Sequence, residues 1–232
     1  MSSFTIHELP EGDRPREKLA RLGPGALSEA ELIAILLRVG MKGVNAVELA
    51  RQLLVKYKTL AGLARCSVAE IAGNKGVGMA KAVQLAAAFG LGQRLALETI
   101  AAQQMDRPEL IHQLLGAEMR TLDRESLRVV LLNTKLHLMR VEEISLGSLN
   151  ETTAHPREIL RPALIHAAFA FVLVHNHPSG DPSPSDADRR LTRKLIEAAT
   201  LLQIRMNDHV IIGAPVPGRL PYFSFAEAGM MQ

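Results

Sequence analysis

The sequence predicts two domains: an all-helical N-terminal domain over residues 1–100, then an α+β or α/β domain over residues 101–232 with a mixed sheet and flanking helices. Three observations carry this. Helix-start signals followed by apolar residues at helical spacing fill the first hundred positions. A polar stretch closed by proline comes next. Beyond it, short β-branched runs alternate with helical ones.

In the first domain, Glu11 to Pro24 is polar and rich in proline and glycine, which predicts an extended arm. Ser28-Glu29-Ala30-Glu31 has the Ser-x-x-Glu form of a capping box, in which hydroxyl and carboxylate satisfy free amides at a helix start. Leu32, Ile33, Leu36 and Leu37 continue it as an apolar stripe, and Gly40 is the expected stop. A second helix is expected over Ala46 to Tyr57. Ser67-Val68-Ala69-Glu70 is another capping box, opening a short helix that ends near Gly73. After Lys75-Gly76-Val77-Gly78 comes a long alanine-rich helix, Met79 to Glu98. Ala101 to Pro108 is the expected domain boundary.

In the second domain, Leu127 to Asn133 and Leu138 to Ile144 read as strands, with Asn133-Thr134-Lys135 turning between them. Pro156 occupies a helix N1 position, and a helix follows to about Ala167. Phe169 to His175 is a strand apolar on both faces. A loop with three prolines leads to a helix from Ser185 to Leu202, and Asp208 to Ile212 is the last strand.

Composition excludes several classes. Nearly half of the 232 residues (47%) are apolar and the net charge is only +3, so a disordered tail is excluded. With no Trp, two Tyr and six Phe there is no aromatic platform for stacking single-stranded bases. The lone Cys66 excludes an internal disulfide and a multi-cysteine zinc site, and fits a reducing cytoplasm. The N-terminus carries Glu8, Glu11 and Asp13 rather than a signal-peptide core, and the longest apolar run, Ala167 to Val174, is too short to span a bilayer. A cytoplasmic protein without membrane contact is expected. The first hundred residues hold 13 Lys and Arg against 9 Asp and Glu, a mild excess that ordinary solvated faces also reach.

The chemistry concentrates at His175-Asn176-His177, where the apolar strand runs out into a loop. Residues i and i+2 of an extended chain share a face, so both imidazoles can reach one ion. Imidazole suits zinc, and a two-histidine site needs a third protein ligand with the fourth place open to water. Asp188, in the first turn of the returning helix, is placed to be that ligand. Two bland readings stand beside this one. Histidines near a strand end are often surface polar groups, and Ser185-Asp186-Ala187-Asp188 is itself a capping box that would start a helix with no metal present.

His175-x-His177, seven intervening residues and Ser185-x-x-Asp188 together resemble the metal-binding motif of the JAB/MPN metalloprotease family. The longer string HNHPSGDPSPSDAD, with HPREILRPAL before it and DHVIIG after it, is similar to the bacterial RadC branch. So is LPEGDRPREKLARLGPGALSEAEL near the N-terminus. The resemblance implies that His175, His177 and Asp188 bind Zn²⁺ and that Ser185 stabilises the activated water or the oxyanion. It also implies a glutamate general base on an upstream strand. Glu142 and Glu143 compete for that role, and the spacing to Gly147 favours Glu142. The implied activity is zinc-dependent hydrolysis of a peptide, isopeptide or related amide bond in an unknown substrate.

Gly76-Val77-Gly78 between two helices, with Lys81 after it, resembles a helix-hairpin-helix element, although Met79 stands where that motif often has proline. There the turn amides and a nearby lysine contact a phosphate without reading bases, so non-specific DNA contact through Gly76, Gly78 and Lys81 is an expected partner interaction. A competing reading follows: a DNA-binding accessory protein of repair or recombination whose metal centre is structural or vestigial. An amidohydrolase barrel, which also opens with His-x-His, needs about 250 residues and does not fit the second domain.

Overall fold

The computed structural model describes residues 13–146 and 155–231 of the chain. The chain divides into two compact units, Met1–Leu95 and Ala96–Gln232. The described part of the first is helical: α1 (Pro15–Leu22), a single 3-10 turn (Pro24–Ala26), α2 (Glu29–Leu37), α3 (Ala46–Tyr57), α4 (Leu60–Ala64), α5 (Val68–Ala72) and the start of α6 (Gly78–Ala101).

The arm expected over Glu11–Pro24 is instead mostly helix α1. Pro15 stands at its N1 position, where a missing N–H costs nothing, and Gly23 follows its last turn. Pro15 and Gly23, which suggested extended chain, therefore punctuate a helix; Glu11 and Gly12 lie outside the described residues. Both expected capping boxes form. In the first, Ser28 Oγ accepts from the Glu31 amide at 3.3 Å while Glu31 Oε2 accepts from the Ser28 amide at 2.8 Å. Lys18 donates to the same carboxylate at 2.9 Å, and this bond, with the Ser28 amide, holds the Glu31 pKa down to about 2. One charged group thus caps α2 and ties α1 to it. Ile33, Leu37, Leu49, Leu53, Leu63 and Leu85 form the buried core of the unit. Gly40 does not stop α2, which ends at Leu37. A Cβ there would lie 2.0 Å from the Val44 carbonyl, so the glycine permits a close backbone approach instead.

The second unit contains α7 (Pro108–Met119), β1 (Ser126–Leu132), β2 (Leu138–Leu146), α8 (Pro156–Ile165), β3 (Ala170–Asn176), α9 (Asp186–Leu201), β4 (Arg205–Ile212) and β5 (Tyr222–Ser224). Its sheet is mixed, in the order β2-β1-β3-β4-β5; among the described strands only β3 and β4 pair in parallel. Parallel neighbours need a crossover, and α9 supplies it. Strand alternation sorts the core into two layers. Val130, Leu132, Val172, Val174, Val210 and Ile212 pack under α7, while Leu127, Val129, Leu131, Phe171 and Leu173 pack under α8 and α9. Every residue of β3 is buried, as its unbroken apolar run predicts. Two elements of this unit escape the sequence reading, as does α4 in the first. Helix α7 begins at the proline expected to mark the boundary, and the three residues of β5 are too few to show a period. No described helix is long and apolar enough to cross a membrane.

The turn before α6 gives Lys81 partners within the chain. Gly76 has a φ of 85°, where a side chain would be strained, and an added Cβ would lie 2.7 Å from Met41 Sδ. Lys81, expected at a phosphate, is engaged by main-chain carbonyls. Its ammonium donates to the carbonyls of Val39 at 2.7 Å, Gly40 at 3.2 Å and Gly76 at 2.7 Å. An ammonium has three N–H donors, and three carbonyls accept them. Lys81 is thus the pin of this turn. Replacing it by Met leaves three carbonyls without that donor and should lower unfolding stability by about 1–3 kcal/mol, measurable by urea denaturation. An unchanged midpoint would show that water serves those carbonyls equally well.

Candidate metal centre

Alternation along β3 directs Phe171, Leu173 and His175 to the α8/α9 side of the sheet. His177 lies just past the strand end, held by its amide to the Ile212 carbonyl at 3.1 Å. The proline loop then turns back and is fastened at Gly180 and Asp181. The Ala214 amide donates to the Gly180 carbonyl at 2.8 Å, and Arg219 reaches Asp181 Oδ1 at 3.1 Å. This returns the chain to the start of α9, where Ser185 is the N-cap and Asp188 the third helical residue.

The two readings of Ser185 and Asp188 turn out to coexist. Asp188 Oδ2 accepts from the Ser185 amide at 2.8 Å and from its hydroxyl at 2.6 Å, and the Asp188 amide donates back to Ser185 Oγ at 3.2 Å. The capping box is real. The same carboxylate nevertheless faces both imidazoles, with Oδ1 3.3 Å from His175 Nε2 and Oδ2 3.6 Å from His177 Nε2.

His175, His177 and Asp188 thus form a cluster whose donor atoms all lie within 4.8 Å of one another. Zinc–nitrogen and zinc–oxygen bonds of about 2.0–2.2 Å in a tetrahedron separate ligand atoms by roughly 3.3–3.6 Å. The separations here are close to that: the two Nε2 atoms are somewhat nearer, at 3.0 Å, and the carboxylate lies 3.3 Å from His175 through Oδ1 and 3.6 Å from His177 through Oδ2. The ring orientation fits as well. His177 Nδ1 lies 2.7 Å from the Asp181 carbonyl, which can only accept, so Nδ1 carries the proton and a neutral ring turns a bare Nε2 inward.

Electrostatics point the same way. Burial works against the Asp188 carboxylate, yet the two imidazoles of His175 and His177 beside it outweigh burial and hold the carboxyl far below the ordinary range. The hydrogen bond to Asp188 raises the His177 pKa against the opposing effect of burial, with help from the Asp181 carbonyl and the charges of Asp188 and Glu125. Where no metal is bound, a proton is the alternative positive charge at this seat.

Glu125 was not anticipated. It precedes β1, whose Leu127 pairs with His175 in an antiparallel ladder. Continued two residues outward, that register would set Glu125 across from His177, and the charge of Glu125 does act on the His177 imidazole. Asn176, whose side chain points away from the two histidines, clamps both neighbours of Glu125. Its Oδ1 accepts from the Ser126 amide at 2.8 Å and its Nδ2 donates to the Arg124 carbonyl at 3.1 Å. Glu142 also lies on the α8/α9 face, but on β2 and in the row of Val129 and Leu173 rather than that of His175. Its carboxylate pairs with Arg140 and lies 3.5 Å from His166. Glu143 points to the other face, 3.4 Å from Arg128 and 3.2 Å from Ser126 Oγ. Gly147, which the spacing argument used, lies outside the described residues. Glu125 sits at a chain turn before a strand, so only the ladder register discloses it.

Two further polar residues back the cluster. His209, within the strand expected over Asp208 to Ile212, is fully buried with Nε2 2.9 Å from His175 Nδ1. Its Nδ1 is 2.7 Å from Thr192 Oγ1 on α9. Burial, and secondarily the charge of His175, push the His209 pKa well below the usual value. The available signals were the alternation in DHVII and the i, i+4 spacing of Asp188 and Thr192. His155, at the N-cap of α8, makes no side-chain capping bond.

Comparison with known proteins agrees with this geometry. Residues 105–230 match the family model described as a RadC-like JAB domain, and residues 6–83 match one described as UPF0758 N-terminal. A UPF0758 protein of Moorella thermoacetica is 47% identical over 90% of this chain and 91% of its own length. UPF0758 proteins of Alkaliphilus metalliredigens and Chloroflexus aggregans are 44% and 43% identical, over 97% and 99% of this chain and 96% and 99% of their own lengths.

The raised His177 pKa predicts a pH dependence. A histidine that holds its proton more tightly when folded adds stability fully below its ordinary value of 6.5, and that stability is lost as pH rises through the raised value. Chelator-treated protein should therefore become less stable to urea as pH increases above 6.5, and His177→Gln should flatten that part of the profile. An identical slope in the variant would assign the titration to another group.

Proposed function

Because the chain belongs to the RadC-like JAB domain family and carries its UPF0758 N-terminal domain, we propose that its second unit is a zinc-dependent hydrolase of peptide, isopeptide or related amide bonds. The observation that carries this reading is the convergence of His175 Nε2, His177 Nε2 and the Asp188 carboxylate at the C-terminal end of β3. In this reading His175, His177 and Asp188 hold the ion. Zinc, when bound, supplies Lewis acidity, making water a nucleophile near neutral pH and polarising the scissile carbonyl.

The remaining groups supply positions and proton transfer. Glu125 is the general base: its carboxylate takes the proton of the attacking water and returns it to the departing amine. It is preferred to Glu142 because the β1–β3 register sets it beside His177, whereas Glu142 is paired with Arg140. Ser185 holds Asp188 in orientation through its hydroxyl, and it is the candidate to stabilise negative charge on the carbonyl oxygen by turning its single proton from Asp188 to that oxygen. The substrate is a polypeptide or amide whose scissile carbonyl enters beside His177, the more exposed of the two histidines.

The alternative, a DNA-binding accessory protein, relied on Gly76, Gly78 and Lys81, and the last of these is engaged by main-chain carbonyls. Salt-sensitive duplex binding lost in Lys75→Ala would revive it.

Protein purified without chelator should carry zinc, and Asp188→Ala should not. On a panel of fluorogenic peptide and isopeptide amides, Glu125→Gln should retain the metal and lose about 10²–10⁴-fold in turnover, while Glu142→Gln stays close to wild type. The opposite pattern would return the base to Glu142, and full zinc occupancy in Asp188→Ala would overturn the ligand set.

A further inference from the structure

We infer that His209 and Thr192 are positioning residues that hold His175 in the tautomer a metal ligand requires, through a one-directional chain of hydrogen bonds that begins on the main chain of Asp188. The inference rests on the reading of His175 and Asp188 as ligands.

The direction of the chain follows from which atoms have protons. Thr192 Oγ1 lies 2.7 Å from the Asp188 carbonyl and 2.7 Å from His209 Nδ1. The carbonyl has no proton, so the single hydroxyl proton of Thr192 points to it. The hydroxyl oxygen must then accept from His209, which places the imidazole proton on Nδ1. A neutral ring carries only that one, so His209 Nε2 is bare. At 2.9 Å from His175 Nδ1 it accepts a proton from that ring. His175 is thereby left with a bare Nε2, the atom that faces His177 and Asp188.

Packing holds the geometry. His209 and Thr192 are almost completely buried, and Phe225 stacks on the His209 ring at 4.7 Å between centroids and 12° between planes. Asp208 fastens the turn that carries Phe225, accepting from Ser224 Oγ at 2.6 Å and from the Ala226 amide at 2.9 Å. Because the chain starts on the Asp188 carbonyl, it links one ligand's backbone to the other ligand's ring. A shift of α9 would therefore disturb the carboxylate and the His175 tautomer together.

The test uses the full chain and two readouts. One is Zn²⁺ affinity by competition with a chromophoric chelator; the other is the His175 tautomer in metal-free protein, from imidazole ¹⁵N chemical shifts. Thr192→Val keeps the shape and removes the hydroxyl, and Thr192→Ser restores it. His209→Leu removes the acceptor, and His209→Gln can accept from His175 and donate to Thr192. Thr192→Val and His209→Leu should weaken Zn²⁺ binding about 10- to 100-fold and release His175 from a single Nδ1–H tautomer, while Thr192→Ser and His209→Gln stay near wild type. Should His209→Leu fail to fold, the Thr192 pair decides alone. Wild-type affinity and tautomer in Thr192→Val would overturn the inference, as would Thr192→Ser being as weak as Thr192→Val. A wild-type protein that ignores Zn²⁺ would sink the metal reading instead, and the tautomer measurement would still decide the hydrogen-bond chain.

Discussion

Two imidazole nitrogens 3.0 Å apart, with a carboxylate beside them and little access to water, form an arrangement that needs a positive charge. Two bare lone pairs at that separation repel, and an ionised carboxylate that is 4% exposed is costly unless a cation compensates it. Much of the second unit can be understood as the means of enforcing this crowding. The buried strand β3 fixes His175, the anchored proline loop fixes His177, and the crossover helix α9 returns Asp188 to the same place. Either a metal or a proton meets the electrostatic demand, so protonation of His177 and metal binding oppose one another.

Fold and site are linked through the parallel pair in the sheet. Parallel pairing of β3 with β4 obliges the chain to cross over, and the crossover begins at the C-terminal end of β3. That edge of an open sheet is where ligand sites collect, because loops and helix starts converge there. The Ser185–Asp188 capping box serves both purposes at once: it begins the helix and aims the carboxylate. Main-chain constraint is what makes a short acidic side chain a positioned group. The antiparallel β1–β3 ladder adds Glu125 from the other side, with Asn176 as the clamp.

In the first unit the same physics produces a different result. Lys81 has the residue type and spacing of a phosphate contact, and the glycines of the preceding turn strengthen that impression. Three carbonyls converge on its ammonium instead, because a tight turn leaves acceptors without amide partners. A charged side chain near a glycine turn therefore has an internal use that no spacing pattern separates from an external one.

The sequence by itself determined the helical first unit, the three capping boxes, the unbroken apolar strand and the grouping of His175, His177 and Asp188. All of these depend on local periodicity or on short spacings along one chain. Helix α1 was misread because proline and glycine look alike whether they start and stop a helix or fill a loop, and β5 was invisible because its pairing with β4 defines it. Tertiary structure decided the rest. Which glutamate stands beside His177 depends on strand register, and the backing of His175 by His209 and Thr192 depends on a strand and a helix meeting face to face. Such contacts join residues far apart in sequence, and the geometry of the sheet alone sets which of them touch.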